Sequence, residues 1–194
     1  MNFLALVLLF AAPFWEAKAP ADWSEEELAQ MFTDSPWAQA LVAPASAPAV
    51  PAYFATAAPM AKAELERDRR HRAKRPDAPP DLLAEEYRAW FEENRATQIV
   101  LAIPTGNARA FDDSQSTREM EEQSVMRIGR RKIKMSGHFP PSPGDPYLRI
   151  AFPREVKEND KTVTFDLYIP GVAIPFRTVE FRVKDMIVNG KLEM

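Results

Sequence analysis

The 194-residue chain contains no cysteine. That excludes a disulfide framework, a thiolate metal site, a cysteine nucleophile and a lipid-bearing cysteine. Histidine is nearly absent as well: His71 and His138 are the only two, and neither has a second histidine at ligand spacing. With no H-E-x-x-H, and with Asp112-Asp113 as the closest approach to a carboxylate cluster on a loop, no metal or cofactor site is expected. There is no G-x-S-x-G and no Ser-x-x-Lys, so the local signatures of serine catalysis are missing. Ser136-Gly137-His138 places a serine near a histidine in sequence, but a dyad is defined by geometry in space. No catalytic residue is assigned on these grounds.

Long apolar runs are also scarce. The one block spans residues 3–14, FLALVLLFAAPF. It is shorter than the roughly 20 residues a spanning helix needs. Small residues follow it, the pattern of a secretory signal. No Lys or Arg precedes the block, which departs from that pattern. Two A-x-A sites compete. Cleavage after Ala17-Lys18-Ala19 would leave Pro20 first, and proline fits poorly in an extended backbone gripped by a peptidase. Cleavage between Ala21 and Asp22 is therefore expected, giving a periplasmic or secreted product of bacterial type. Glu16 and Lys18 cancel, so the product keeps the net charge of −3, which by itself points to no polyanionic partner.

What the chain has in excess is proline, 18 residues, concentrated in two places. APASAPAVPA, residues 43–52, reads as an extended connector. PPSPGDP, residues 140–146, reads as a loop that can be neither helix nor ladder. The organisation expected is a leader over 1–21, a helix and turn over 22–41, a connector over 42–51 and one domain over 52–194.

From residue 22 onward the periodicities are mixed. Ser24 and Glu27 form a capping box before Leu28, Met31 and Phe32. The stretch 59–73 is rich in helix formers, with Pro59 suited to the first turn. A second helix over 81–95 places Leu83, Tyr87, Trp90, Phe91 and Asn94 on one side. TQIVLAIP, residues 97–104, reads as a strand buried on both faces. A polar helix is expected over 114–126, ended by Gly129, with a short strand near Ile133 and Met135. Strands follow over 147–152, 162–169 and 174–184, the last with a parity change that predicts a bulge at Arg177-Thr178. Asn189-Gly190 signals a hairpin bringing Leu192 beside Val188. The sum is α+β: an antiparallel sheet of about four to six strands, with helices in the N-terminal two thirds.

Three stretches, FTDSPWAQ (32–39), AYFATAAPMAKAELER (52–67) and VEFRVKDMIVNGKLEM (179–194), resemble a family of uncharacterised exported bacterial proteins with a D-S-P-W-A turn and a C-terminal G-K-L-E-like tail. The resemblance implies export and an α+β fold, and it implies no reaction. In that family the D-S-P-W-A turn leads into a β-rich segment, where this chain has its Pro/Ala connector.

Three functional readings remain: a binding domain, a small hydrolase and a soluble structural subunit, the last marked by an exposed apolar patch or an unpaired sheet edge. The run ERDRRHRAKR, residues 66–75, crowds Arg67, Arg69, Arg70, Arg72, Lys74 and Arg75 onto one helix end, with a second basic stretch at 130–134. It suits contact with an anionic envelope polymer, phospholipid head groups or an acidic envelope protein. No aromatic residue interleaves the run, which disfavours nucleic acid. The bland account of the same residues is solubility and favourable charge at a helix C-terminus. Trp37, directly after the turn, is expected to anchor the first helix in a pocket of the main domain. The favoured function is a non-catalytic binding or interaction domain of the bacterial cell envelope. The alternative is a small hydrolase built on two buried carboxylates, for which Glu85-Glu86 and Glu92-Glu93 are the pairs in sequence.

Overall fold

The computed structural model describes residues 12–42, 48–105 and 107–194. The first expected element forms for the expected reason. Ser24 accepts the Glu27 N–H at 3.1 Å, and Glu27 accepts the Ser24 N–H at 2.9 Å. Before this box lie a short helix α1 (Phe14–Ala17) and a 3₁₀ turn at Pro20–Asp22. The box opens α2 (Glu25–Thr33), which buries Leu28 and Met31. The chain then turns through Ser35-Pro36 into β1 (Ala38–Leu41) and returns as β2 (Val50–Phe54).

These two strands correct the connector. Leu41 pairs with Val50 and Ala40 with Pro51, so the Pro/Ala segment begins and ends in a ladder. Only Tyr53 and Phe54 of β2 pair onward with β3, so Pro51 sits where the missing N–H has no second neighbour to serve. Residues 43–47 lie outside the described residues.

Helix α3 (Ala58–Lys74) and helix α4 (Leu82–Asn94) follow. Asp81 starts α4 by accepting the Ala84 N–H, and it also accepts from the Ser142 hydroxyl and the Gly144 N–H, tying the helix to the proline loop. Inward positions on α4 are Ala84, Tyr87 and Phe91, whereas Leu83, expected inward, is exposed. Strand β3 (Gln98–Pro104) is buried on both faces along Ile99–Ile103. Helix α5 (Ser114–Gln123) stops earlier than Gly129. Ser124 leaves the helix and accepts the Tyr168 N–H, and the alternating Val125–Ile128 stretch becomes β4. There, pairing with a distant strand outweighs local helix preference.

The remaining strands are β5 (Arg131–Lys134), β6 (Gly137–Phe139), β7 (Tyr147–Pro153), β8 (Thr162–Tyr168) and β9 (Phe176–Arg182), followed by a small hairpin of β10 (Ile187–Val188) and β11 (Lys191–Leu192). In that hairpin Leu192 faces Ile187, and Val188 faces Lys191. Asn189 and Gly190 both have positive φ, the geometry of a tight primed turn.

The fold is α+β and antiparallel, with its strands in two main sheets. One has the order β1-β2-β3-β7-β6 and the other β5-β4-β8-β9. They face each other through an aromatic core: Phe54 meets Phe165 and Phe181, and Phe152 meets Phe165. Each of these fully buried rings contributes on the order of 1.5–3 kcal/mol. Two joints connect the sheets. Val42 and Thr178 exchange both N–H···O bonds at 2.9 Å. On the other side β5 and β6 are one run of chain interrupted by Met135 and Ser136, so a single strand edges both sheets.

The expected bulge in β9 is absent. Pairing with β8 runs without interruption from Tyr168↔Phe176 to Thr162↔Arg182. Arg177 takes the inward position, donating to the carbonyls of Ile174 and Pro48, and Phe176 is exposed. Among the described residues no helix is long and apolar enough to cross a membrane.

Candidate functional site

Helix α3 carries most of the residues in question, and it divides along its length. Its first two turns hold Pro59 and bury Met60 and Ala63. No side chain of its own caps it; the Glu193 carboxylate from the far end of the chain lies 3.4 Å from the Ala58 N–H. An anion there suits the helix dipole.

The middle of α3 presents Glu64 and Arg67 to a buried ionic cluster. Arg149, on β7, is 3 % exposed. Its guanidinium forks onto Asp145 at 2.7 and 3.0 Å, and it donates to Glu64 at 2.8 Å and to the Tyr87 hydroxyl at 3.1 Å. Glu64 also accepts from the Tyr53 hydroxyl, and Arg67 donates to that same hydroxyl. The Arg67 guanidinium lies over the rings of Phe32 and Tyr147, and that of Arg149 over Tyr87.

The electrostatics follow from burial. Desolvation pushes the Tyr53 and Tyr87 hydroxyls well above the usual phenol range. Burial opposes the charge on Arg149, but Glu64, Tyr87 and Tyr53 outweigh it and hold the guanidinium firmly protonated. Asp68, partly buried beside Arg67, is pushed up by desolvation. Chemically the cluster is closed at its centre: Glu64 and Asp145 are both committed to Arg149, and each of the three Arg149 guanidinium nitrogens has an acceptor. It locks α3, α4 and β7 together.

On another side of α3, Glu66 is 5 % exposed. It accepts two bonds from Arg69 and one from Arg70, and Arg70 reaches on to Glu25 and to the Trp23 carbonyl. The hydrogen bonds from Arg69, then Arg70, lower the Glu66 carboxyl to about 2 against the cost of burial.

The sequence-predicted basic run therefore separates. Arg67 and Arg70, with side chains 12 % and 13 % exposed, face the protein and are paired. Arg69 faces outward but is bonded to Glu66. Arg72, Lys74 and Arg75 are exposed and form no ion pair among the described residues. Of the second basic stretch, Arg131 pairs with Glu155, and Lys132 and Lys134 are exposed on edge strand β5. Exposed lysines there also discourage edge-to-edge pairing.

The other candidates are dispersed. Ser136 donates to Gln98, while His138 lies near Glu121, its imidazole pKa lowered by burial. They form no dyad. Glu85, Glu86, Glu92 and Glu93 are exposed. Among the described residues no group of three or more His, Asp or Glu is placed to hold a metal. Trp37 is fully buried, and Trp15 packs edge-on against it at 5.8 Å. Ala21 and Asp22 are exposed.

One open groove of 520 Å³ lies beside β9, lined by Val42, Asp166, Leu167, Phe176, Arg177 and Thr178. Its one acid, Asp166, is held by Arg127 at 2.7 Å and by the Thr178 hydroxyl at 2.9 Å. No family model, curated protein or solved structure matches this chain. Its own residues therefore carry the functional argument.

Sequence reasoning missed the buried cluster. Arg149 alternates with Leu148 and Ile150 and so reads as solvent-facing. A signal existed: Asp145 stands four residues before it, and three tyrosines elsewhere needed polar partners if buried.

Proposed function

We propose that this protein is a non-catalytic exported domain of the bacterial cell envelope that binds an anionic polymer through the distal end of α3. The division of that helix is the observation that carries the reading. Its middle is fixed by Glu64, Glu66, Arg67 and Arg70. Its distal turn then projects Arg72, Lys74 and Arg75 with no acidic partner among the described residues. Cations at a helix C-terminus are locally favourable, so three unpaired ones form a positive end at little cost to the fold. The commitment of Glu64 and Asp145 to Arg149 weighs against the hydrolase alternative, because a general acid must be free to give up a proton.

The test uses polyphosphate of defined length as the probe. The triple variant Arg72→Ser, Lys74→Ser, Arg75→Ser is expected to lose salt-sensitive retention on immobilised polyphosphate, with its melting temperature unchanged. Equal retention by the variant would remove the site. Compartment is tested by the intact mass of the protein after cell fractionation: a chain starting at Asp22 outside the cytoplasm supports export, and a full-length cytosolic chain overturns it.

A further inference from the structure

Aromatic residues lie on both sides of the Ala21–Asp22 bond at which cleavage is expected. Phe14 packs edge-on against Trp23 at 5.5 Å, and Trp15 packs edge-on against Trp37 at 5.8 Å. Both Trp23 and Trp37 belong to the main core. Phe14 and Trp15 are only half-buried, and α1, which carries them, is four residues long. Lys18 forms an ion pair with Glu27, the one charged link from this segment to α2 among the described residues. Ala19, Ala21 and Asp22 are exposed, at and beside the 3₁₀ turn Pro20–Asp22.

Cleavage after Ala21 would cut the covalent link from Phe14, Trp15 and Lys18 to Trp23, Trp37 and Glu27. A single helical turn does not hold itself together in water. Two edge-on ring contacts and one half-exposed ion pair are a weak grip once the tether is cut. The departing turn would uncover the faces of Trp23 and Trp37 that it had shielded. The second observation concerns the Trp23 indole. Trp23 is 4 % exposed, and its Nε1–H is buried with no acceptor. A buried indole N–H normally finds a partner. This one lacks an acceptor while Phe14 lies against its ring.

We propose that Trp23 and Trp37 form an aromatic slot. In the unprocessed chain the slot is filled by α1, and removal of residues 1–21 opens it to a partner peptide carrying adjacent aromatic residues. Two features of the occupant are read from the segment now in place: two neighbouring aromatic side chains, and a basic residue a few positions on to meet Glu27. The third, a carbonyl to accept from Trp23 Nε1, is one that this segment does not supply. The proposal rests on the processing part of the export reading and is independent of the basic end of α3.

The test keeps the full chain. A fluorescein-labelled peptide with the sequence of residues 12–19 is titrated against the unaltered protein and against the double variant Phe14→Ser, Trp15→Ser. The variant is expected to bind the peptide saturably. The unaltered chain should bind at least about tenfold more weakly, because its tethered turn competes at high effective concentration. A peptide with both aromatic residues replaced by serine should bind neither protein. Equal binding by the two proteins, or none by the variant, overturns the proposal.

A second arm avoids reliance on the variant's folding. Full-length protein is cut between Ala21 and Asp22 by signal peptidase and passed through a sizing column. Release of the leader followed by uptake of the labelled peptide supports the slot. A leader that stays bound, or a cut protein that takes up no peptide, overturns it. Export itself fails or stands on the intact mass, so the two outcomes are separable.

Discussion

The indole N–H of Trp37 donates to the main-chain carbonyl of Glu193 at 2.8 Å, joining residues 156 positions apart. The same Glu193 offers its carboxylate to the start of α3 and its N–H to the Met186 carbonyl. One side chain in an early turn thus secures the C-terminal tail, and the tail secures a helix. Trp37→Ala is expected to cost about 3–5 kcal/mol, the range for truncating a buried aromatic residue. Trp37→Phe keeps much of the packing but abandons the carbonyl, and should cost less. Urea unfolding of the two variants checks the order; equal, negligible losses would mean that the turn does not anchor the tail.

Arg149 is the charge whose loss should be felt most. Arg149→Met leaves Glu64 and Asp145 without their shared partner, with an expected loss of about 3–5 kcal/mol. Combining it with Glu64→Gln should be less harmful than the sum of the two single changes, because the second change removes an orphaned charge. A double-mutant cycle measured by chemical denaturation reads that coupling directly.

Acid should act through Glu66. Its folded pKa, about 2, lies below the unfolded glutamate value of about 4.3. The unfolded chain therefore binds the proton first as pH falls. The stabilisation is complete above about 4.3 and is lost as pH drops towards 2. Melting temperatures between pH 5 and 2 should fall less steeply for Glu66→Gln than for the unaltered protein. Parallel curves would show that the hydrogen bonds from Arg69 and Arg70 carry no net stability.

Gly171 is held by its backbone and by its neighbours. Its φ is +76°, and a Cβ at that position would lie 2.4 Å from the Ala110 Cβ. Gly171→Ala should destabilise by more than about 1 kcal/mol, through left-handed strain plus displacement of Ala110. Gly129 also has positive φ but has open space around it, so Gly129→Ala isolates the strain alone. The difference between the two melting temperatures measures the steric part.

The capping box, the buried central strand, the alternating β8 and the Asn-Gly turn were all legible in the sequence, because each depends on neighbours a few positions away. Patterns that depend on distant partners were not. Arg177 occupies an inward position because carbonyls at Ile174 and Pro48 satisfy it, and nothing local to β9 indicates that Pro48 is near. Val50 and Pro51 read as connector because their ladder partners lie across the Pro/Ala segment on β1. The basic run was visible as a run, but its division into an inward and an outward set depends on Glu66 lying under Arg70 and on Tyr53 lying under Arg67.

The joint between Val42 and Thr178 also bears on the order of folding. Strand β1 can pair with β2 early, since little chain separates them, but it cannot meet β9 until nearly the whole polypeptide has been made. The tail that meets Trp37 is made later still. Contacts of such high sequence separation slow the search for the native state. Residues near the start of the chain thus wait for its last strands before their packing is complete.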